Sequence, residues 1–253
     1  MIVTDPWFYV VAVPAVLVYG IGKGGLGGAL GDIVVPFMAL TISPTLAASI
    51  LLPILIVMDV FAISHHVKNA DWHLIKKMVP GGIAGILLAA ISLKHLPEYG
   101  LEILIGSISI GFVMLYLFKK QATKSKPGII SALFWCGLGG FTSTAIHAGG
   151  GPVSIFLLPQ KLNKLKLIGT MAWFFAIINF LKLGAFAWLG ELNISNILTA
   201  IILMPLAPIG VRIGVYLLNK ISQEFIYKLC YILLLLSGSK LLISGLTQSG
   251  LFN

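Results

Sequence analysis

The sequence is poor in charge: only 10% of its 253 residues are Asp, Glu, Lys or Arg. Soluble domains carry about 25%, so the composition excludes an ordinary soluble domain. No polar linker divides the chain into independent globules. A hydrophobic content of 58% and a mean hydropathy of +1.02 instead indicate an all-α polytopic membrane protein, because only helices and closed barrels cross lipid.

Cysteine and acidic residues are also scarce. Cys136 and Cys230 both lie in apolar runs, which is typical of small core side chains and not of a disulfide or metal pair. The net charge of +9 comes from lysines in short loops, so it indicates membrane orientation and not nucleic-acid binding. No nucleophile, base and acid form a recognisable catalytic set. We therefore expect that the protein is not an enzyme and that it binds no metal or cofactor.

Long apolar runs predict the membrane segments. Each approaches or exceeds the ~20 residues that cross a bilayer as a helix. Two further apolar regions are interrupted by glycine clusters, and we interpret these as hairpins. The sequence thus predicts eight to ten membrane segments: hairpins at 7–40 and 128–159, and helices at 45–63, 75–93, 100–118, 168–189, 194–218 and 225–246.

The two halves share a pattern of glycine and proline. A shift of 123 positions places Gly27 on Gly150 and Pro36 on Pro159. A shift of 125 positions places Pro80 on Pro205. We therefore predict a duplicated unit, with an N-terminal repeat over 1–120, a cytoplasmic loop over 121–127 and a C-terminal repeat over 128–253.

The distribution of lysine predicts opposite orientations for the two repeats. Lysines lie on both sides of the 128–159 region, whereas 1–6, 41–44, 190–193 and 247–253 contain no lysine or arginine. Because lysine-rich loops face the cytoplasm, hairpin 128–159 enters from inside and hairpin 7–40 from outside. Two inverted repeats, each a glycine-broken hairpin plus three helices, are a transporter architecture.

The glycine-rich stretch GIGKGGLGGALGD, residues 20–32, lies at the tip of the first hairpin. No strand precedes it and it lacks the phosphate-loop spacing, so a nucleotide site is excluded. Its arms reach only about 22 Å each, which leaves the tip within the bilayer. Two helix N-termini that face one midplane cavity would form an anion site. The alternative is that the glycines serve only close helix packing.

Ionisable side chains within the apolar runs are the other candidates, because each is costly in lipid. Lys23, His147 and Arg212 are candidate anion ligands, and His147 could also carry a proton. Lys23 and Arg212 have the alternative of reaching the membrane boundary. Asp32 and Asp59 are candidates for proton coupling, or else partners of an internal ion pair with Lys23 or Lys182. Ser143, Thr144, Thr170, Asn179 and Lys182 could line a polar path.

The paired glycine motifs, each followed by a proline some eight residues on, together with AAS at 47–49 and IGT at 168–170, resemble the sulfite exporter TauE/SafE family. That resemblance covers nearly the whole chain. It implies transport of a small anion, such as sulfite or sulfoacetate, across the bacterial cytoplasmic membrane. Lys23 and His147 stand where small residues would fit. The family's motif positions fall on Gly22, Gly24, Gly25, Gly27, Gly28, Gly149, Gly150 and Gly151.

The sequence therefore predicts a multi-pass secondary transporter of the cytoplasmic membrane that moves a small anion by alternating access, with proton coupling as an option. The expected partners are the anion and the lipid bilayer, without nucleic acid. Monomer and homodimer both stay open. A passive anion channel, with the glycine tips as its constriction, is the first alternative, and a membrane-embedded enzyme is the second.

Overall fold

The computed structural model describes residues 2–26, 28–117, 128–217, 220 and 223–250. Over these ranges the regular secondary structure is helical, which confirms the predicted all-α class. The α-helices are α1 Pro6–Ile21, α2 Val34–Met38, α3 Pro44–His66, α4 Trp72–His95, α5 Glu98–Leu117, α6 Ile129–Ile146, α7 Gly150–Leu157, α8 Lys164–Trp188, α9 Ile194–Leu203, α10 Leu206–Leu217 and α11 Gln223–Gln248.

Five of the helices within the described ranges are long and apolar enough to cross a bilayer, and a sixth span results if α9 and α10 are counted together. The longest of them, α8, has 25 residues, or about 37 Å at 1.5 Å per residue. This exceeds the ~30 Å hydrocarbon core. The protein is therefore a multi-pass membrane protein.

Polar side chains fix where several helices begin. Asp5 accepts a hydrogen bond from Trp7 N at 2.9 Å, and Asp71 accepts one from Leu74 N at 3.2 Å. Asn163 and Asn193 do the same at the starts of α8 and α9. Each satisfies a backbone N–H that has no partner within the first turn of its helix.

The chain departs from α-helix at both predicted glycine clusters. After α1, residues Gly22–Leu26 form one π-helical turn and Gly28–Ile33 form a 3₁₀ turn that leads into α2. The second cluster is sharper: α6 ends at Ile146, His147 adopts left-handed angles of φ 54° and ψ 24°, and α7 begins at Gly150. Both breaks are largely buried, as non-helical backbone within a bilayer must be.

The predicted single span over 194–218 is instead two helices. α9 ends at Leu203, α10 begins at Leu206, and the pair is bent by 44°. Pro205 explains the break, because a proline lacks the backbone N–H and its ring clashes with the carbonyl four residues earlier. Pro80, its counterpart under the shift of 125, lies inside the continuous helix α4.

Helices pack in four main pairs: α1 with α10, α4 with α6, α3 with α8, and α5 with α11. The middle of α3 is apolar all round and its side chains at 50–52 and 54–55 have no exposed surface, as expected of a helix at the centre of a bundle. Large apolar side chains of α4, including Leu87, Leu88 and Ile91, are exposed where lipid would cover them. The inverted duplication stays a prediction.

Candidate functional site

Polar side chains from five segments meet in the interior near the two breaks. We call this set the central polar cluster; it comprises Tyr19 of α1, Lys23 of the first break, Asp59 of α3, Ser143 and His147 at the end of α6, and Asn179 and Lys182 of α8. Most of these side chains are at least nine-tenths buried. Burying so many polar groups is costly unless they bond to one another.

The first part of the cluster is an ion pair. Lys23 Nζ donates to Asp59 Oδ1 in a short salt bridge, and it also lies 3.3 Å from the backbone oxygen of Leu55. Asn179 Nδ2 donates to the other carboxylate oxygen of Asp59 at 2.6 Å. The charge on Asp59 is therefore matched by one lysine, and the pair links the first break to α3 and α8.

The second part centres on Lys182, whose side chain has no exposed surface. Its Nζ donates to the backbone oxygen of Ser143 at 2.9 Å and to Ser143 Oγ at 3.1 Å, and it lies 2.7 Å from His147 Nδ1. In the part of the chain that the structure describes, Lys182 Nζ has no carboxylate within salt-bridge distance. It is a buried lysine held by neutral acceptors.

His147 is fixed from three sides. Its Nε2 lies 2.8 Å from the backbone oxygen of Ala48, its own carbonyl accepts a hydrogen bond from Tyr19 at 2.7 Å, and its ring stacks on Phe186 at 5.9 Å between centroids. These contacts come from α1, α3 and α8. The histidine at the second break therefore connects both halves of the chain.

Asp32 occupies the place where the sequence predicts an external anion. Its carboxylate faces the backbone N–H groups of Gly150 and Gly151 at the start of α7, and a Cβ on Gly151 would lie 3.3 Å from Oδ2. Neither carboxylate oxygen reaches hydrogen-bond geometry with a described group. The positive end of α7 is thus turned toward the protein's own acid.

A cleft of about 240 Å³ leads from the loop ends toward the cluster. Pro44, Lys94 and Glu191 line it, at the start of α3, in the last turn of α4 and just beyond the end of α8. Two other lining residues, Ala48 and Phe186, are the ones that contact His147. Since a water occupies about 30 Å³ in the liquid, the cleft has room for a small hydrated anion.

The predicted glycine ligands fall into different environments. Gly24 packs against α10, where an added Cβ would collide with the backbone oxygen of Val211, and Gly149 packs against the backbone oxygen of Gly139. Gly22, Gly25 and Gly150 are buried, and Gly151 faces Asp32. Gly28 begins the 3₁₀ turn, and Gly27 lies outside the described residues. Helix packing, the alternative weighed from sequence, therefore explains Gly24 and Gly149.

Arg212 does not join the cluster. It is exposed on α10, where its charged group has room to reach water or lipid headgroups. The cluster instead contains Lys182 and Asn179, which the sequence offered for a polar path or, for Lys182, an internal ion pair. It also contains Tyr19, which the sequence analysis did not single out. The available signal was a lysine in the middle of the 168–189 apolar run, since ionisable residues within membrane spans are usually functional.

A second ion pair lies at the opposite end of α3 and α8. Lys166 Nζ is 3.0 Å from Asp71 Oδ2, and the Asp71 backbone N–H donates to Thr170 Oγ1 at 2.9 Å. Partial burial disfavours charge on Asp71, but hydrogen bonds from Lys166 and from the amides of Leu74 and His73 outweigh it and lower the pKa of this carboxyl. The pair joins the starts of α4 and α8.

Three comparisons with known proteins bear on this arrangement. Neither the curated proteins nor the solved structures gave a match to the chain. A family profile described as sulfite exporter TauE/SafE matches residues 12–241, which include both breaks and the whole central polar cluster. The match confirms the resemblance that the glycine and proline motifs indicated, and it indicates a membrane transport protein. The chain belongs to the sulfite exporter TauE/SafE family.

Proposed function

We propose that this protein is a secondary transporter that moves a small anion across the bacterial cytoplasmic membrane by alternating access. The cargo we propose is a sulfur oxyanion or an organosulfonate, of the sulfite or sulfoacetate type; of these, the family description names sulfite. The observation that carries this proposal is Lys182, a fully buried lysine whose ammonium group would have no carboxylate in salt-bridge distance among the described residues.

The energetics of burial support an anion as the missing partner. A buried charge that lacks a counterion costs several kcal/mol, at the order of magnitude found for ions moved out of water. Neutral oxygens from Ser143 lower that cost for Lys182 without removing the charge. A negatively charged substrate would complete the set, with Lys23 nearby as a second cation.

The arrangement of the chain also suits alternating access. The cleft is lined by Ala48 and Phe186, which both contact His147, so these two residues separate the cleft from the cluster. Discontinuous helices that meet near the midplane are the usual setting for substrate sites in transporters built from opposed repeats. Movement of one half against the other would expose the cluster to each side in turn.

Transport is tested with purified protein in liposomes, using ³⁵S-labelled sulfite, thiosulfate and sulfate and ¹⁴C-labelled sulfoacetate. We expect saturable uptake of at least one anion and counterflow when the same anion is preloaded. Lys182→Met is expected to abolish that flux, because it removes the buried cation. Uptake that stays linear with concentration and shows no counterflow would indicate the channel alternative.

Lys240→Met is the matched control. Like Lys182, Lys240 lies within an apolar stretch of its helix, α11, but it is exposed and lies outside the cluster. We expect this variant to transport like the parent. Equal loss of flux in the two lysine variants, or parental flux in Lys182→Met, would contradict the assignment of Lys182 to the anion site.

A further inference from the structure

The hydrogen bonds around His147 define which of its nitrogens carries a proton. Nε2 lies 2.8 Å from the backbone oxygen of Ala48, and a carbonyl oxygen can only accept, so Nε2 is the donor. In a neutral imidazole the other nitrogen is then an acceptor. His147 Nδ1 therefore accepts from the ammonium group of Lys182, 2.7 Å away.

This geometry allows only one positive charge on the pair. If His147 were also protonated at Nδ1, two positively charged donors would face each other at 2.7 Å and would compete for the backbone oxygen of Ser143. Lys182 has its other two donors on Ser143. The protonation of Nδ1 is thus blocked as long as Lys182 points at it.

An anion that binds Lys182 would remove that block. Resting on the proposed function, we propose that His147 is the proton site of transport: the anion draws the Lys182 hydrogen bond away from His147 Nδ1, and Nδ1 takes up one proton from water. The balance is one anion and one proton bound per cycle. For a monovalent anion the charge of the loaded cluster then equals that of the empty one.

Other titratable groups lie near the pair of Lys182 and His147. None of those that the structure describes is placed to take up this proton. From the first break and α3, Lys23 and Asp59 act on it electrostatically but bond to each other. Tyr19 of α1 donates to the His147 carbonyl, and Asp32 faces the start of α7. On α6, Cys136 lies two turns before Ser143, and the titratable side chains of α4 lie near its two ends.

The test is the number of protons taken up when an anion binds, measured by isothermal titration calorimetry in buffers of different ionisation enthalpy. Thiosulfate and sulfoacetate serve as probes because neither gains or loses a proton near neutral pH. For the parent we expect about one proton per anion. At alkaline pH the affinity should fall tenfold for each further pH unit, as linkage requires for one bound proton.

His147→Asn is the informative variant. Asparagine tolerates left-handed backbone angles, and its amide oxygen is an acceptor that could replace Nδ1 opposite Lys182, but it cannot take a proton. We expect it to bind thiosulfate with no net proton uptake and with an affinity independent of alkaline pH. His73→Asn is the matched control, because His73 is exposed in the first turn of α4, and it should keep one proton per anion.

The outcomes separate this inference from the proposed function. Failure of both probes to bind the parent would overturn the proposed function, and this inference with it. Binding by the parent without proton uptake would overturn the inference alone. So would a proton taken up by His147→Asn but lost in Asp32→Asn. If His147→Asn does not fold, the alkaline slope of the parent decides: a flat profile overturns the proposal.

Discussion

Gly20 in α1 and Gly210 in α10 meet backbone to backbone: a Cβ atom on Gly20 would lie 2.9 Å from the Cα of Gly210. One turn on, Gly24 and Gly214 repeat the contact with Val211 and Ile21. Such small-xxx-small pairs let membrane helices approach closely. The surface that packs on α10 therefore starts at Gly20 in α1 and continues to Gly24 in the π-helical turn.

Gly24→Ala tests that packing role. The added methyl would collide with the backbone oxygen of Val211, and overpacking of this kind costs about 1–3 kcal/mol. We expect a lower midpoint of thermal unfolding in detergent. Gly111→Ala in α5 is the control, because a Cβ there meets nothing within 4 Å and alanine favours helix by up to about 1 kcal/mol. Equal midpoints for the two variants would argue against close packing at Gly24.

The sequence predicts the class and most helices because apolar runs of the required length are a local property. It also locates the two breaks, since glycine clusters weaken helix wherever they occur. It does not predict the break between α9 and α10. Pro205 ends a helix there whereas Pro80 does not in α4, so a proline within an apolar run does not by itself predict a break.

The central polar cluster is harder to foresee. Lys23 and Asp59 are 36 positions apart and Lys182 and His147 are 35 apart, so neither pair shows a local spacing pattern. From the sequence, either Lys23 or Lys182 could form the ion pair with Asp59. Which lysine takes the acid, and which is left without one, follows from the packing of α3 on α8.

The Lys23–Asp59 ion pair predicts that the effects of substituting its two residues on thermal stability are not additive. Lys23→Met leaves a buried carboxylate with only Asn179 as a donor, and removal of one partner of a buried pair costs about 3–5 kcal/mol. Adding Asp59→Leu to that variant removes the orphaned charge. We expect thermal unfolding to drop strongly for the single variant and to recover partly for the double variant. Additive losses would contradict a direct pairing.

The ion pair of Asp71 with Lys166 predicts that the stability of the fold depends on pH. The pKa of Asp71 is lowered in the folded protein, so its ionisation stabilises the fold above the ordinary aspartate value of about 3.9, and this contribution is lost as the pH falls through the lower folded-state pKa. Asp71→Asn keeps an N-cap but loses the charge, whereas Asp71→Ala loses both and should cost about 1 kcal/mol more. The difference in thermal unfolding between the parent and Asp71→Asn should be largest at pH 7 and should shrink as the pH falls below about 4. A difference that stays constant over this range would exclude a contribution from the charge.

Accessibility labelling tests the predicted orientation, on which the inverted repeats depend. The α3 helix begins at Pro44 and α8 ends at Trp188, and both residues line the same cleft, whereas the other ends of these helices meet near Asn69 and Asn163. Lysine is concentrated at the second end, with Lys68, Lys164 and Lys166 around one pocket, so that end should face the cytoplasm.

In a background without Cys136 and Cys230, we expect Asp5→Cys and Glu191→Cys to react with an impermeant maleimide on intact cells. Lys164→Cys should react only after permeabilisation. Asp5 flanks the first hairpin and Lys164 flanks the second. Labelling of Asp5→Cys and Lys164→Cys from the same side would therefore rule out hairpins that enter from opposite faces.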